Sequence, residues 1–418
     1  MTAQIEQMSI TNTIRRMLRV LGAMPAYVGD PESVERAARF VHDRMARSGA
    51  IVDWYQPEGF APLVVVGDGP ILLATYMDDA DPYASSHSGQ PPSFRDTAVS
   101  GPGILRKAGV VAAAAAELDP ESGGSFTLVV ETDRNAGSLT LEHWLHNDPQ
   151  PFKAGIWEAT DLPIPAPSII HSASGCLTLR ISVNANHHFA ELHYGGVVSD
   201  VGRQLADAIS QLVSQDHEVR LDGFYDGIDD VDPEAMELYQ EMTGRIAAWL
   251  HRVAPGDAEM PPSHLAMGVF LAPGIVIRSF QLTDRQPYLP ITAEAVIDVH
   301  LVPGQNPRVV GQSAIRYFKE RVPGAQVETL MLRPPVVGKA NIAALREAYP
   351  RVLKAVPGLN PAGVIESFGI PTVGYASVGR NPENTSGRVT LEDAVNGARL
   401  IQALSRRMSG GAPPVTEP

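Results

Sequence analysis

A few short runs gather side chains able to do chemistry. The run MDDADPYASSH carries Asp78, Asp79, Asp81 and His87. Three carboxylates and an imidazole can hold one cation; the same run also reads as a solvated acidic loop after a strand. His187 and His188 are adjacent, so on a strand they point to opposite faces and do not chelate one ion. Arg134 suits an anionic group or a pairing with the nearby Glu131 or Asp133. Ser138 and Ser367 have no His–Asp partners at motif spacing, which leaves a serine-nucleophile reading weak. Gly101-Pro102-Gly103 lacks the Lys-Ser/Thr end of a phosphate loop. Cys176 is the only cysteine, which excludes an intrachain disulfide and fits a reducing compartment; a small buried thiol is its default role.

These residues need elements to position them. The 418 residues allow two or three domains and a large core. Apolar residues make up 44% and charged residues 19%, an ordinary globular mix. Lys plus Arg is 33 and Asp plus Glu is 47, so 33 − 47 gives a formal charge of −14, unsuited to nucleic acid. No apolar run is long enough for a membrane helix, the N-terminus does not read as a signal peptide, and 409–418 reads as a frayed tail. Helical periodicity is expected over 10–24, 31–48 and 104–118, with strands at 63–66, 71–75 and 126–131, an alternation that predicts a mostly parallel sheet. The middle changes to strand 177–184, helices 198–213 and 233–253, and strands 274–282 and 293–301. Helices 307–321, 342–355 and 391–407 and strands 326–330 and 372–376 follow. The expected organisation is an α/β domain (1–176 and 303–408) interrupted by an α+β domain (177–302).

Four segments then occur in a telling order. They are Glu191-Leu192-His193-Tyr194-Gly195-Gly196, Gly223-Phe224-Tyr225-Asp226, Val299-His300-Leu301-Val302-Pro303-Gly304-Gln305-Asn306-Pro307 and Gly369-Ile370-Pro371-Thr372-Val373-Gly374. Together they resemble the dinuclear-zinc exopeptidase family of carnosine dipeptidases, aminoacylases and glutamate carboxypeptidases. The resemblance spans almost the whole chain. It implies a zinc-exopeptidase-like catalytic α/β domain with an inserted α+β lid. It also implies a homodimer through the lid, in which His193 reaches the partner's site. In the family this His steadies the tetrahedral intermediate; here it also reads as a turn histidine bonding its own loop.

The resemblance implies two zinc ions bridged by a carboxylate, with a Glu as general base. The residues depart from that set. Aligning Ile71–Asp78 with the family's Gly-His-x-Asp strand end puts Tyr76 at the first His and keeps Asp78, which orients that His in the family. Aligning Gly101–Gly109 puts Arg106 at the bridging Asp. Arg134 and Asn135 stand at the Glu-Glu pair before Gly137-Ser138. Glu158 keeps a compatible type, and Glu383 or Asn384 falls at the last His. His300 replaces the family's substrate-facing Arg, a weaker anion holder that also reads as a core histidine. Between Val356 and Glu366 the family's Gly-Ser-Ile-Pro loop is not visible. Arg106 repels divalent ions and can offset the charge of Asp78, Glu158 and Glu383. Tyr76 either donates its phenol toward an oxyanion or fills the vacated zinc volume.

The expectation is therefore a family fold with no metal and no cofactor. Tyr76, Asp78, Arg106, Glu158, His193 and Glu383 are the candidate catalytic residues, and Arg134, Asn135 and His300 the candidate substrate-binding ones. The substrate would be a small amino-acid-derived molecule, met in the cytoplasm without nucleic acid or membrane. Three functions fit: a repurposed enzyme of amide or acyl chemistry, an inactive pseudopeptidase acting as a binding or scaffold protein, and a zinc hydrolase with displaced ligands.

Overall fold

A computed structural model describes residues 2–27, 29–78, 93–95, 98–100, 103–119, 126–159, 168–187, 190–214, 216–228, 233–253, 264–283, 286–337, 352–353, 360–376 and 388–409. The chain divides into two compact units. The first comprises Met1–Ala173, Val231–Phe270 and Gly338–Pro418, and the second Ser174–Asp230 and Leu271–Val337.

The first unit is built on an eight-stranded sheet. Its order is Val52–Tyr55, Leu63–Val66, Thr127–Glu131, Ile71–Tyr76, Ala154–Glu158, Thr372–Ala376, Ser168–Ile170 and Val352–Leu353. The four central strands run parallel. Their fully buried Val-, Ile- and Leu-rich sequences suit strands covered on both faces. The alanine-rich helix Ile104–Glu117 packs against Thr2–Leu21, Leu391–Met408 and the sheet. Small side chains let it sit close. At Gly109 the approach is closest, because a Cβ there would fall 2.0 Å from Glu158 Oε1. Asp30 caps the helix Pro31–Arg47 by accepting from the Ser33 amide, and Thr390 with Asp393 forms a capping box on Leu391–Met408.

The second unit is an antiparallel sheet in the order Gly274–Leu282, Thr292–Leu301, Gly175–Asn184 and Gln326–Arg333. The helices Val201–Leu212 and Pro307–Arg321 cover one face and close a core with Leu177, Leu179, Ile297 and Val299. Period-two alternation produces this one-sided burial. Segments that carried the family resemblance hold this unit together. The Gln305 side chain accepts from the Val302 amide at 2.8 Å and donates to the Phe224 carbonyl. Asn306 caps the helix that begins at Pro307.

The unit bounds differ from the sequence expectation of 177–302. The second unit continues to Val337 because Gln326–Arg333 pairs with Gly175–Asn184. The helices Pro233–Val253 and Leu265–Leu271 fall in the first unit instead. The helix expected over 342–355 is also corrected at one point: Val352–Leu353 is a short strand beside Ser168–Ile170, and β-sheet pairing there overrides helical periodicity. The other residues of that span lie outside the described ones.

Candidate functional site

Parallel strands of an open α/β sheet end together, and side chains just beyond those ends converge. Strand register places Tyr76 opposite Glu131, and Tyr375 opposite Glu158. Asp78 follows Tyr76 by two residues and is fully buried. The turn Arg134–Ala136 then closes over it. The Asn135 amide donates to Asp78 Oδ2 at 2.8 Å, and Asn135 Nδ2 donates to the same oxygen at 2.8 Å and to the Asp78 carbonyl at 3.1 Å. Arg106, from the helix Ile104–Glu117, donates Nη1 to that carbonyl as well. Two strand ends and a helix are thus tied together through one aspartate.

Tyr76 is almost entirely buried. The Arg134 guanidinium lies 3.9 Å from its ring centroid and that of Arg106 lies 5.8 Å away. Both are within cation–π range. The phenol ring is therefore a shelf for two guanidiniums, and its burial fits the volume-filling role.

Carboxylates surround this shelf. Burial pushes Asp78 above its ordinary range, while the Asn135 amide and then the Arg134 and Arg106 charges pull it back. Asp133 is also raised by burial, although Oδ2 accepts from the Thr140 amide at 2.8 Å and hydroxyl at 2.9 Å. That bonding assigns Asp133 to the start of the helix Leu139–Asn147. Glu131 differs. It is fully buried, and neither carboxyl oxygen has a hydrogen-bond partner among the described residues. Burial and then Asp133 drive its carboxyl well upward; the Ser138 hydroxyl, close but outside hydrogen-bond geometry, offsets part of this. Ser138 itself sits at φ 57°, a left-handed conformation uncommon for a residue with a side chain.

The structure thus brings Tyr76, Asp78, Arg106, Arg134 and Asn135 together. Glu158 is fully buried, with its carboxyl against Gly109 and its charge felt by the Tyr375 phenol, which burial already pushes well up. Glu383, Asn384, Asp79, Asp81, His87 and His188 lie outside the described residues. His193 and His300 belong to the second unit. His193 is exposed; its Nδ1 lies 3.3 Å from Glu191 Oε2 and its ring meets that of Tyr194 at a tilt, with centroids 4.0 Å apart, contacts within its own turn. His300 is largely buried on the strand Thr292–Leu301, and burial lowers its pKa. Sequence reasoning passed over Glu131 and Tyr375 as site groups. The signal was a carboxylate and a phenol each at the last or next-to-last position of an otherwise apolar strand.

Among the described residues, the donors at the aligned positions do not make up the zinc ligand set that the resemblance implies. Zinc takes His, Cys and carboxylate ligands, and among the described residues no group of three or more such side chains is placed to hold a metal. Asp78 Oδ2 is already engaged by Asn135. A dication ~4 Å from the Arg106 guanidinium would meet a repulsion of about 8 kcal/mol at an effective dielectric of ~20.

Glu131 makes this electrostatic account testable. A carboxyl raised by folding stabilises the native state fully below its unfolded value, and that contribution is lost as pH rises through the folded value. The variant Glu131→Gln removes the titration and keeps the shape. Thermal melts should show the variant more stable than the parent above neutral pH, with the difference shrinking toward pH 4.5. A constant difference across that range would contradict a raised Glu131.

No family model matches the chain, and neither does any curated protein sequence. Solved structures do. The M20 family metallo-carboxypeptidase Sso-CP2 from Sulfolobus solfataricus aligns with TM-score 0.72 at 16% identity, human carnosine dipeptidase 1 with 0.70 at 15%, and the dipeptidase Dug1p from Saccharomyces cerevisiae with 0.69 at 14%. Each alignment covers 97% of this chain and 99% of the other. At these identities the likeness is one of fold: this chain has the two-unit α/β architecture of the M20-type peptidases, and the resemblance read from its motifs holds at that level.

Proposed function

We propose that the chain is a repurposed peptidase-fold enzyme that acts, without a dinuclear zinc centre, on the amide or acyl bond of a small amino-acid-derived molecule. The observation that carries this reading is the pair of guanidiniums on Tyr76 beside Asp78. Without a metal-bound hydroxide, hydrolysis of an unactivated amide is hard. Amide formation, acyl transfer, cyclisation or hydrolysis of a more activated bond demands less. Arg106, or the Tyr76 phenol, polarises the acyl oxygen. Asp78 handles the proton through Oδ1, which has no hydrogen-bond partner among the described residues, with Glu383 as the alternative proton carrier. Arg134 and Asn135 orient the substrate. The single cysteine is the ground for a reducing, cytoplasmic setting. Among the described residues no helix is long and apolar enough to cross a membrane.

One observation favours a second reading, an inactive binding or scaffold protein. Asp78, Asn135 and Arg106 bond one another, as a structural tie would. A panel of N-acyl amino acids and dipeptides, assayed for cleavage and for amide formation in the presence of a chelator, separates the two. Activity should persist with the chelator and fall at least 100-fold in Arg106→Asp, with folding checked by circular dichroism. Unchanged turnover in that variant sinks the assigned role, and no reaction across the panel favours the scaffold.

The homodimer is part of the same proposal. The strand Gly274–Leu282 is a sheet edge, and its Val276, Ile277, Phe280 and Leu282 are 39–62% exposed. Beside the helix Val201–Leu212, a groove of about 290 Å³ is lined by Ala206, Ile209, Ser210, Ile277 and Phe280. An apolar open edge is a liability unless covered. A second copy covers it by edge-to-edge pairing, with the same patch on both sides. Sedimentation should give a dimer for the parent chain and a monomer for Ile277→Asp; a parent chain that is monomeric at micromolar concentration contradicts this.

A further inference from the structure

The helix Ile104–Glu117 presents Arg106 at one end and a half-buried carboxyl at the other. Glu117 is its last residue. The carboxyl lies against the turn Gly67-Asp68-Gly69: a Cβ on Gly67 would fall 2.9 Å from Glu117 Oε1 and 3.0 Å from the Phe126 carbonyl oxygen. Gly67 takes a φ of 82°, so glycine serves both the turn and this close approach. The turn is pinned to two strands. The Gly67 amide donates to the Ile51 carbonyl at 2.9 Å, and the Thr127 hydroxyl donates to the Gly69 carbonyl at 2.8 Å. The helix end is held less firmly. Residues 112–116 are all alanine, and an alanine methyl buries little area.

Among the described residues nothing compensates a negative charge on Glu117. Its Oε2 is buried without a hydrogen-bond partner among them. The last turn has no basic residue, and the negative end of the helix dipole lies there. Asp68, exposed on the turn, is a like charge. Asp119, just beyond the helix, accepts from Gln402 Nε2 at 2.8 Å. The helices packed alongside carry Arg19, and Arg406 and Arg407, in their last turns, but none of these is among the charges that bear on Glu117. Burial, and after it Asp68, push the Glu117 carboxyl up to about 8. With the turn fixed on its strands, it is the helix end that must yield to a charge here.

We propose that Glu117 is a pH-sensitive latch: protonated, it seats the last turn of the helix Ile104–Glu117 against Gly67 and Phe126, and ionised, beside Asp68, it leaves that seat and the last turn frays. The latch does not depend on the enzyme reading. Its sign follows from linkage. A carboxyl raised in the closed state stabilises that state fully below its free value, 4.5, and the contribution fades as pH rises to about 8 and then levels off.

Hydrogen exchange of the full chain tests this, followed by mass spectrometry between pH 5 and pH 9 and corrected for the intrinsic rate. The strand Thr127–Glu131 serves as the reference for global opening. Relative to it, protection of residues 112–119 should fall about ten-fold or more between pH 5 and pH 8 and then level off. Glu117→Gln keeps the shape of the protonated acid and should stay protected throughout. Asp68→Asn, a change on an exposed side chain, should shrink the fall because it removes the like charge. A parent chain whose 112–119 protection tracks the reference strand across the whole range overturns the latch, and so does a Glu117→Gln chain with the same fall as the parent.

Discussion

The first unit depends on how it buries Asp78. A carboxylate without water is costly unless hydrogen bonds and opposite charge surround it. Asn135 supplies two donors to one oxygen, and the Arg106 and Arg134 charges supply the field. The same contacts join the end of Ile71–Tyr76 to the turn Arg134–Ala136 and to the helix Ile104–Glu117. Positioning and charge compensation are therefore one interaction. Any change to Asp78 moves three elements at once, and this constrains which chemistry the strand ends can support.

Arginines balance part of the buried charge around this tie. Asp78, Glu131, Asp133 and Glu158 are all buried near the strand ends. Two guanidiniums on the Tyr76 ring offset part of that charge, and burial favours the uncharged form of Glu131. Arginine cannot give up its proton here, so the positive charge is permanent.

Much of the fold was legible in the sequence because the telling segments are structural. Gln305 ties the Leu-Val-Pro strand end to Phe224, Asn306 caps a helix, and Gly369 takes a φ of 77° before the strand Thr372–Ala376. Such residues keep their roles whatever the site does. The strand Ala154–Glu158, by contrast, is too short to declare itself by periodicity, and the close fit of Glu158 against Gly109 depends on tertiary packing. Glu131 ends an otherwise apolar strand, which marks it as a site candidate, but nothing in that local pattern says that its carboxyl lacks a partner. Asn135 was read as a substrate contact, and its bonds to Asp78 emerge only when two strand ends meet.

On the proposed reading, guanidiniums and tied carboxylates occupy the site in place of two zinc ions. Metal content by plasma mass spectrometry tests it most directly, on folded protein purified without chelator, exposed to excess zinc and then desalted. The account predicts less than about 0.1 zinc per chain. One or two zinc ions retained per chain would contradict it and restore a metallohydrolase with displaced ligands.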